Sequence, residues 1–207
     1  MIQLLERVLE HPAIYQRWQA PFVAQKFAPA ERHIRHTTIR RVLDVGCGPG
    51  TNAARFEAAA YVGVDINARY LAVARSKFPG RFIQTDLSTA DLSPLGAFDT
   101  ILVNSFLHHL PDAAVNRLLS QLSALLQPRG RVHILELVRP DRLSLPSLMA
   151  RLDRGRYARR IQAWTELFER HFHSLVIEPY TFGGGFWAMV YFQGTAGHAS
   201  LNRHSSL

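Results

Sequence analysis

Cysteine is almost absent from this sequence: Cys47 stands alone among 207 residues. A single thiol builds neither a disulfide framework within the chain nor a cysteine-cluster metal site, so no metal is expected. Lysine is nearly as scarce, with Lys26 and Lys77 the only two, so the formal charge of +8 rests almost wholly on arginine. Long apolar runs are missing too. FWAMVYF, from Phe186 to Phe192, is far too short to span a bilayer. At the N-terminus, Glu6, Arg7 and Glu10 interrupt the apolar residues, which argues against a signal-peptide core. The expectation is a soluble, cytoplasmic protein with no membrane span. What is present is a 47% hydrophobic composition, ample for the core of one domain. The basic balance suits a partner carrying phosphate or carboxylate, or simply a solvated arginine surface.

Alternation of strands and helices is the main pattern. Ile2, Leu5, Val8 and Leu9 fall at helical spacing, and a second helical stretch carries Ile14, Tyr15, Trp18 and Phe22. Short β-rich runs follow at Arg40–Val45, Tyr61–Val64, Arg81–Gln84, Phe98–Val103 and Arg131–Leu137. Between them the spacing predicts helices over Thr51–Ala58, Ala68–Lys77 and Pro111–Leu126, the last closed by Pro128-Arg129-Gly130. Five strands alternating with helices imply a parallel sheet covered on both faces. The rhythm then changes. Ser144–Phe172 reads as helix broken near Gly155. His173–Tyr180 and Phe186–Gln193 read as strands joined through Gly183-Gly184-Gly185. With no room for a crossover helix, that pair is expected to be antiparallel. The fold class predicted is α/β: a Rossmann-like three-layer sandwich with a mostly parallel seven-stranded sheet and an antiparallel C-terminal strand pair.

The first strand-to-helix turn, VLDVGCGPG, carries the chemistry. Its glycines let the backbone approach a ligand. A dinucleotide fingerprint needs glycine at the first, third and sixth positions; here Gly50 comes one place early and Thr51 holds the sixth. Asp44, two residues before Gly46, would repel pyrophosphate and suits an ammonium group instead. Asp65 ends the second strand, where a carboxylate accepts ribose hydroxyls. Asp86 follows the third strand, where an acid takes an adenine amino proton. Amino-acid head, ribose and adenine without phosphate describe S-adenosylmethionine.

From about Arg40 to Leu137 the chain resembles the class I S-adenosylmethionine-dependent methyltransferases, in particular small bacterial members. Asp44, Gly46, Gly48 and Gly50 match their first motif, Asp65 in VGVDI the second strand end, and Asp86-Leu87 the pair after the third. FDTILVNSFLHHL and LLQPRGRVHILE match the fourth- and fifth-strand regions, with Arg131 where a second glycine is common. The resemblance implies S-adenosylmethionine as cofactor, held by Asp44, Gly46, Cys47, Gly48, Gly50, Asp65, Ile66, Asp86, Leu87, Asn104 and Ser105. It implies an N-terminal helical lid over 1–38 and a methyltransferase domain over 39–193. That domain would hold an acceptor-side helical insertion at 144–172, and 194–207 would form a loose tail.

The acceptor side is less specific. His109 or His108 is a candidate general base, since imidazole titrates near neutrality; the alternative is that the pair builds the pocket floor and a helix entry. Arg151 to Arg160 is the densest charge in the chain. It reads either as a solvated helix face or, through Arg154 and Tyr157, as a site for an anionic acceptor. Tyr15 and Trp18 read as core or as lid. The expected activity is methyl transfer to an O, N or C nucleophile of a small acceptor, with an anionic one as an option. The alternatives are a nucleic-acid methyltransferase or a non-catalytic binding module. Against a nucleic-acid partner, Asn104-Ser105-Phe106-Leu107 lacks the prolines of the base-methylating enzymes.

Overall fold

The computed structural model describes residues 22–57, 59–140 and 157–197. Tyr15, Trp18, Arg154, the first two expected helices up to residue 21, the stretch 144–156 and the tail from 198 lie outside the described residues.

Helix α1 spans Val23–Ile34, an element that the reading of the sequence did not resolve individually. The sheet follows as β1 Arg41–Val45, β2 Ala60–Asp65, β3 Arg81–Gln84, β4 Phe98–Asn104 and β5 Leu126–Leu137. Between these strands lie α2, Ala68–Lys77, and α3, Asp112–Leu125. Helix α4, Ile161–Glu169, leads into β6 Phe172–Phe182 and β7 Trp187–Ala196. The seven strands are ordered β3-β2-β1-β4-β5-β7-β6. The pairs from β3 through β5 are parallel, and β7 pairs antiparallel with both β5 and β6. This is the predicted fold class.

The strands hold because their side chains are apolar on both faces. Leu43, Val45, Ile101, Val103 and Ile134 belong to one buried cluster; Val42, Leu102, Leu135 and Tyr191 belong to the other. Helix α3 buries Val115, Leu118, Leu119, Leu122 and Leu125, spaced to form one stripe. In α2, the Asn67 side chain accepts from the amides of Arg69 and Tyr70 and so fixes the first turn. From β1 the chain moves outward to β2 and β3, then returns to place β4 on the other flank of β1. That reversal opens a crevice at the carboxyl ends of β1 and β4.

Two expectations are corrected. Among the described residues of the stretch expected to be helical over Thr51–Ala58, no α-helix forms; Ala53–Phe56 makes a single 3₁₀ turn. Only nine residues, Thr51–Ala59, return the chain to the amino end of β2. As an α-helix they would cover about 13.5 Å, less than the roughly 17 Å of a five-residue strand. The tighter-wound, longer-rising 3₁₀ form spans further. The fifth strand also begins earlier than expected, at Leu126 rather than Arg131, and takes in Pro128-Arg129-Gly130. Helix α3 ends at Leu125, and these residues form an irregularity within β5, where Phe98 faces Leu126 but Thr100 faces Arg131.

Residues 157–160 are fastened to the sheet by Arg159. Its guanidinium is buried, 8% exposed, and stands 4.5 Å from the Trp164 ring centre. It donates to Asp112 (2.7 Å) and to the carbonyls of Leu110 (2.8 Å), Tyr157 (3.0 Å) and Leu107 (3.4 Å). One arginine of the basic segment is therefore neither solvated nor aimed at an acceptor. Replacing it removes a donor from the Leu110 and Tyr157 carbonyls, while the Leu107 carbonyl keeps the Leu110 amide and exposed Asp112 returns to water. Arg159→Ala is expected to cost about 2–3 kcal/mol in denaturant unfolding; an unchanged midpoint would show that the clamp contributes nothing.

Candidate functional site

The glycine loop sits at the β1–β4 crevice. Gly46, Gly48 and Gly50 all have positive φ, at 70°, 54° and 79°. A Cβ on Gly46 would stand 2.7 Å from the Phe106 ring, and one on Gly50 2.8 Å from Phe78. At Gly48 a Cβ would meet nothing within 4 Å, so that face of the loop is open. The loop amides point inward. Gly46 and Cys47 donate to the Val64 carbonyl (2.9 and 3.1 Å), Gly48 to Asp65 Oδ2 (2.9 Å), and Gly50 to the Cys47 carbonyl (3.1 Å). A phosphate-binding loop needs its amides free. These are taken, and the helix start expected to supply more is absent.

Acceptors line the floor of the site instead. Asp44 is wholly buried. Its Oδ2 accepts from the Tyr61 hydroxyl in a short hydrogen bond and from Asn52 Nδ2 at 3.3 Å. Asn52 Oδ1 in turn accepts from Asn104 Nδ2 at 3.4 Å. Asp44 Oδ1 and Asn104 Oδ1 are buried without a hydrogen-bond partner. Two orphaned buried oxygens each carry a desolvation penalty unless a ligand donor meets them. Burial pushes the Asp44 carboxyl up to about 6, against the hydrogen bonds from Tyr61 and Asn52 and with the help of the nearby Asp65 charge.

Asp65 ends β2, with Oδ2 on the Gly48 amide and Oδ1 on the Asn67 amide (2.8 Å). A carboxylate has about four lone-pair sites, so each oxygen keeps room for a further donor. Burial raises its pKa, opposed by the Asn67, Gly48 and Ile66 amides. Ile66 beside it is 58% exposed, an apolar side chain standing open at the site. Asp86 is exposed and uses Oδ1 to accept from the amide and hydroxyl of Ser88 (2.8 and 2.6 Å), which lower its pKa. Leu87 is core, leaving only its backbone near the crevice. Cys47 packs under Gly63, where a Cβ would lie 2.8 Å from its sulfur. Burial pushes its thiol far up, so it fills space and is no nucleophile.

The histidines part company. His108 is buried, with Nδ1 2.8 Å from Glu136 Oε2. His109 is exposed, its ring centre 4.3 Å from that of His108. Tyr157, 41% exposed, donates its amide to the His108 carbonyl (3.0 Å) and so lies at the same edge. Ser105 holds a left-handed backbone, φ 54°, with its amide on the Leu135 carbonyl (2.7 Å). Three side chains of the site went unread in the sequence: Asn52, Tyr61 and Glu136. Glu136 alone carried a visible mark, an acid ending an apolar strand.

An open sheet with this strand order, a reversed seventh strand and an acid-floored glycine loop defines the S-adenosylmethionine-dependent methyltransferase architecture. Residues 42–130 match the family model described as a methyltransferase domain. An uncharacterized methyltransferase of Mycobacterium tuberculosis is 40% identical over 105 residues, 48% of this chain and 52% of the relative. Trans-aconitate 2-methyltransferase of Methylobacterium radiotolerans is 34% identical over 144 residues, 66% of this chain and 52% of the relative. The chain spans about half the length of the curated relatives it matches. Among solved structures, a TehB-like S-adenosylmethionine-dependent methyltransferase of Corynebacterium glutamicum superposes with a TM-score of 0.65 at 21% identity. It covers 90% of this chain and 98% of its own. Residues 42–130 are thus similar to a methyltransferase domain, and the fold is that of the S-adenosylmethionine-dependent methyltransferases. Among the described residues no helix is long and apolar enough to cross a membrane.

The raised Asp44 pKa sets an expected pH response. An ammonium group needs the ionised carboxylate, which is lost as pH falls through about 6. Calorimetric affinity for S-adenosylhomocysteine is therefore expected to drop about tenfold between pH 7.5 and 5. Asp44→Asn should bind weakly and lose this dependence; a flat wild-type profile would remove Asp44 from the contact.

Proposed function

We propose that this chain transfers the methyl group of S-adenosylmethionine to an O, N or C nucleophile of a small anionic molecule. The observation that carries the reading is the pair of orphaned acceptors, Asp44 Oδ1 and Asn104 Oδ1, beside a loop whose amides are spent. Such a floor favours a ligand that brings donors and positive charge, and disfavours one that brings phosphate.

Asp44, with Asn104 and Asn52 beside it, would hold the amino group of the cofactor. Asp65 would accept the ribose hydroxyls with its remaining lone pairs. Ile66 would cover one face of the adenine, with Asp86 and the Leu87 backbone at its edge. Gly46, Cys47, Gly48 and Gly50 offer the close backbone approach, and Ser105 the wall toward the acceptor. When bound, the cofactor supplies a methyl already activated by its positive sulfur. The residues then have to align the nucleophile and exclude water. His109 is the exposed imidazole placed to take a proton where the acceptor must lose one. His108, committed to Glu136, is not. Tyr157 stands at the acceptor edge in this reading. The arginine excess, and a relative whose name gives trans-aconitate as its substrate, support an anionic acceptor.

Asp65→Ala tests the reading without knowledge of the acceptor. Affinity for S-adenosylhomocysteine is expected to fall by roughly 1.5–3 kcal/mol, the scale for hydrogen bonds to a charged group, with little change in melting temperature. NAD should not compete. Unchanged affinity in the folded variant, or tight binding of NAD, would overturn the assignment.

A further inference from the structure

We propose that Glu136 is a positioning residue of the methyl-transfer site: it fixes the loop on which Ser105, Phe106 and His109 face cofactor and acceptor. This rests on the methyltransferase reading above, and nothing in the sequence motifs marks the residue for this task.

Glu136 lies at the carboxyl end of β5 and is wholly buried. Its Oε1 accepts from the amides of Phe106 (2.8 Å) and Leu107 (2.6 Å). Its Oε2 accepts from His108 Nδ1 (2.8 Å) and from its own neighbour, the Leu137 amide (3.3 Å). A carboxylate has about four lone-pair sites, and the protein takes all of them. Glu136 thus has nothing left for a ligand, which separates it from Asp44. Burial alone would raise its pKa, but the facing His108 and the two loop amides outweigh that and lower it. An ionised carboxylate only accepts, so His108 must present Nδ1–H to it.

The loop so held is unusual in its backbone and in what it displays. Ser105 is left-handed, a strained state for a residue with a Cβ. Phe106 packs its ring over Gly46, the first glycine of the cofactor loop. His109 rests on His108 and is exposed. From the opposite side, Tyr157 and Arg159 hold the carbonyls of Leu107, His108 and Leu110. The outer grip leaves the amides of Phe106 and Leu107 untouched; Glu136 takes both, next to the Ser105 amide that the Leu135 carbonyl holds. A buried charge is costly to desolvate and is retained where a geometry has to be unique.

The test measures S-adenosylhomocysteine affinity by calorimetry, and melting temperature, for wild type, Glu136→Gln, His108→Ala and His108→Asn. Asparagine keeps an N–H close to the position of imidazole Nδ1–H; alanine does not. Affinity is expected to fall about tenfold in His108→Ala and to stay within about twofold of wild type in His108→Asn, the difference being one hydrogen bond to a charged group. Glu136→Gln should fall at least as far, because its neutral amide keeps only one accepting oxygen for the three backbone amides that the carboxylate serves. Lower melting temperatures with unchanged affinity would make Glu136 merely structural and overturn the proposal. So would His108→Asn binding as weakly as His108→Ala. If Glu136→Gln does not fold, the two His108 variants decide. A wild type that fails to bind S-adenosylhomocysteine overturns the methyltransferase reading itself; a wild type that binds beside unaffected variants overturns only the role of Glu136.

Discussion

A fully buried carboxylate lies at the carboxyl end of β1, and the site is arranged around it. Asp44 sits at the crevice that the strand order creates, and its Oδ2 is already engaged by Tyr61 and Asn52. The second oxygen is buried without a hydrogen-bond partner. Everything nearby follows from keeping that oxygen both dry and available. Glycines with positive φ carry the backbone past it, and the loop amides are turned to Val64, Asp65 and Cys47 rather than toward the ligand.

The fold contains a second carboxylate buried as deeply, and the contrast is informative. Glu136 is met by a complete set of donors, and its pKa falls; Asp44 is met by an incomplete set, and its pKa rises. Both close a strand of the same sheet, and β4 lies between their strands. In the proposed reading, one acid is finished by the protein and positions a loop, and the other is left for the ligand to finish. Counting lone pairs distinguishes the two roles where burial alone does not.

The sheet was legible because apolar runs and turn residues are local. Arg81–Gln84 and Ala68–Lys77 were read to the residue, and Asp44 and Asp65 were readable as acids that end such runs. The 3₁₀ turn was not, because ARFEAAA has helical composition and only the distance back to β2 overrules it. Asn52 and Tyr61 reach Asp44 across 8 and 17 residues of chain, a contact that no local pattern carries. His108 and His109 are identical neighbours in the sequence; the one-residue turn that buries the first and exposes the second is a property of the loop. Glu136 bore the same mark as Asp44 but fell inside a stretch already explained by resemblance.

The short crossover after the glycine loop has an electrostatic consequence. A long helix there would aim the positive end of its dipole at the ligand. That field suits pyrophosphate, yet S-adenosylmethionine arrives with two cationic centres, the amino group and the sulfur. Four residues of 3₁₀ turn sum too few peptide dipoles to oppose them. Methyl transfer then removes one of those charges, because the product sulfur is neutral. In the proposed reading, the acidic floor is the part of the crevice that would feel that change.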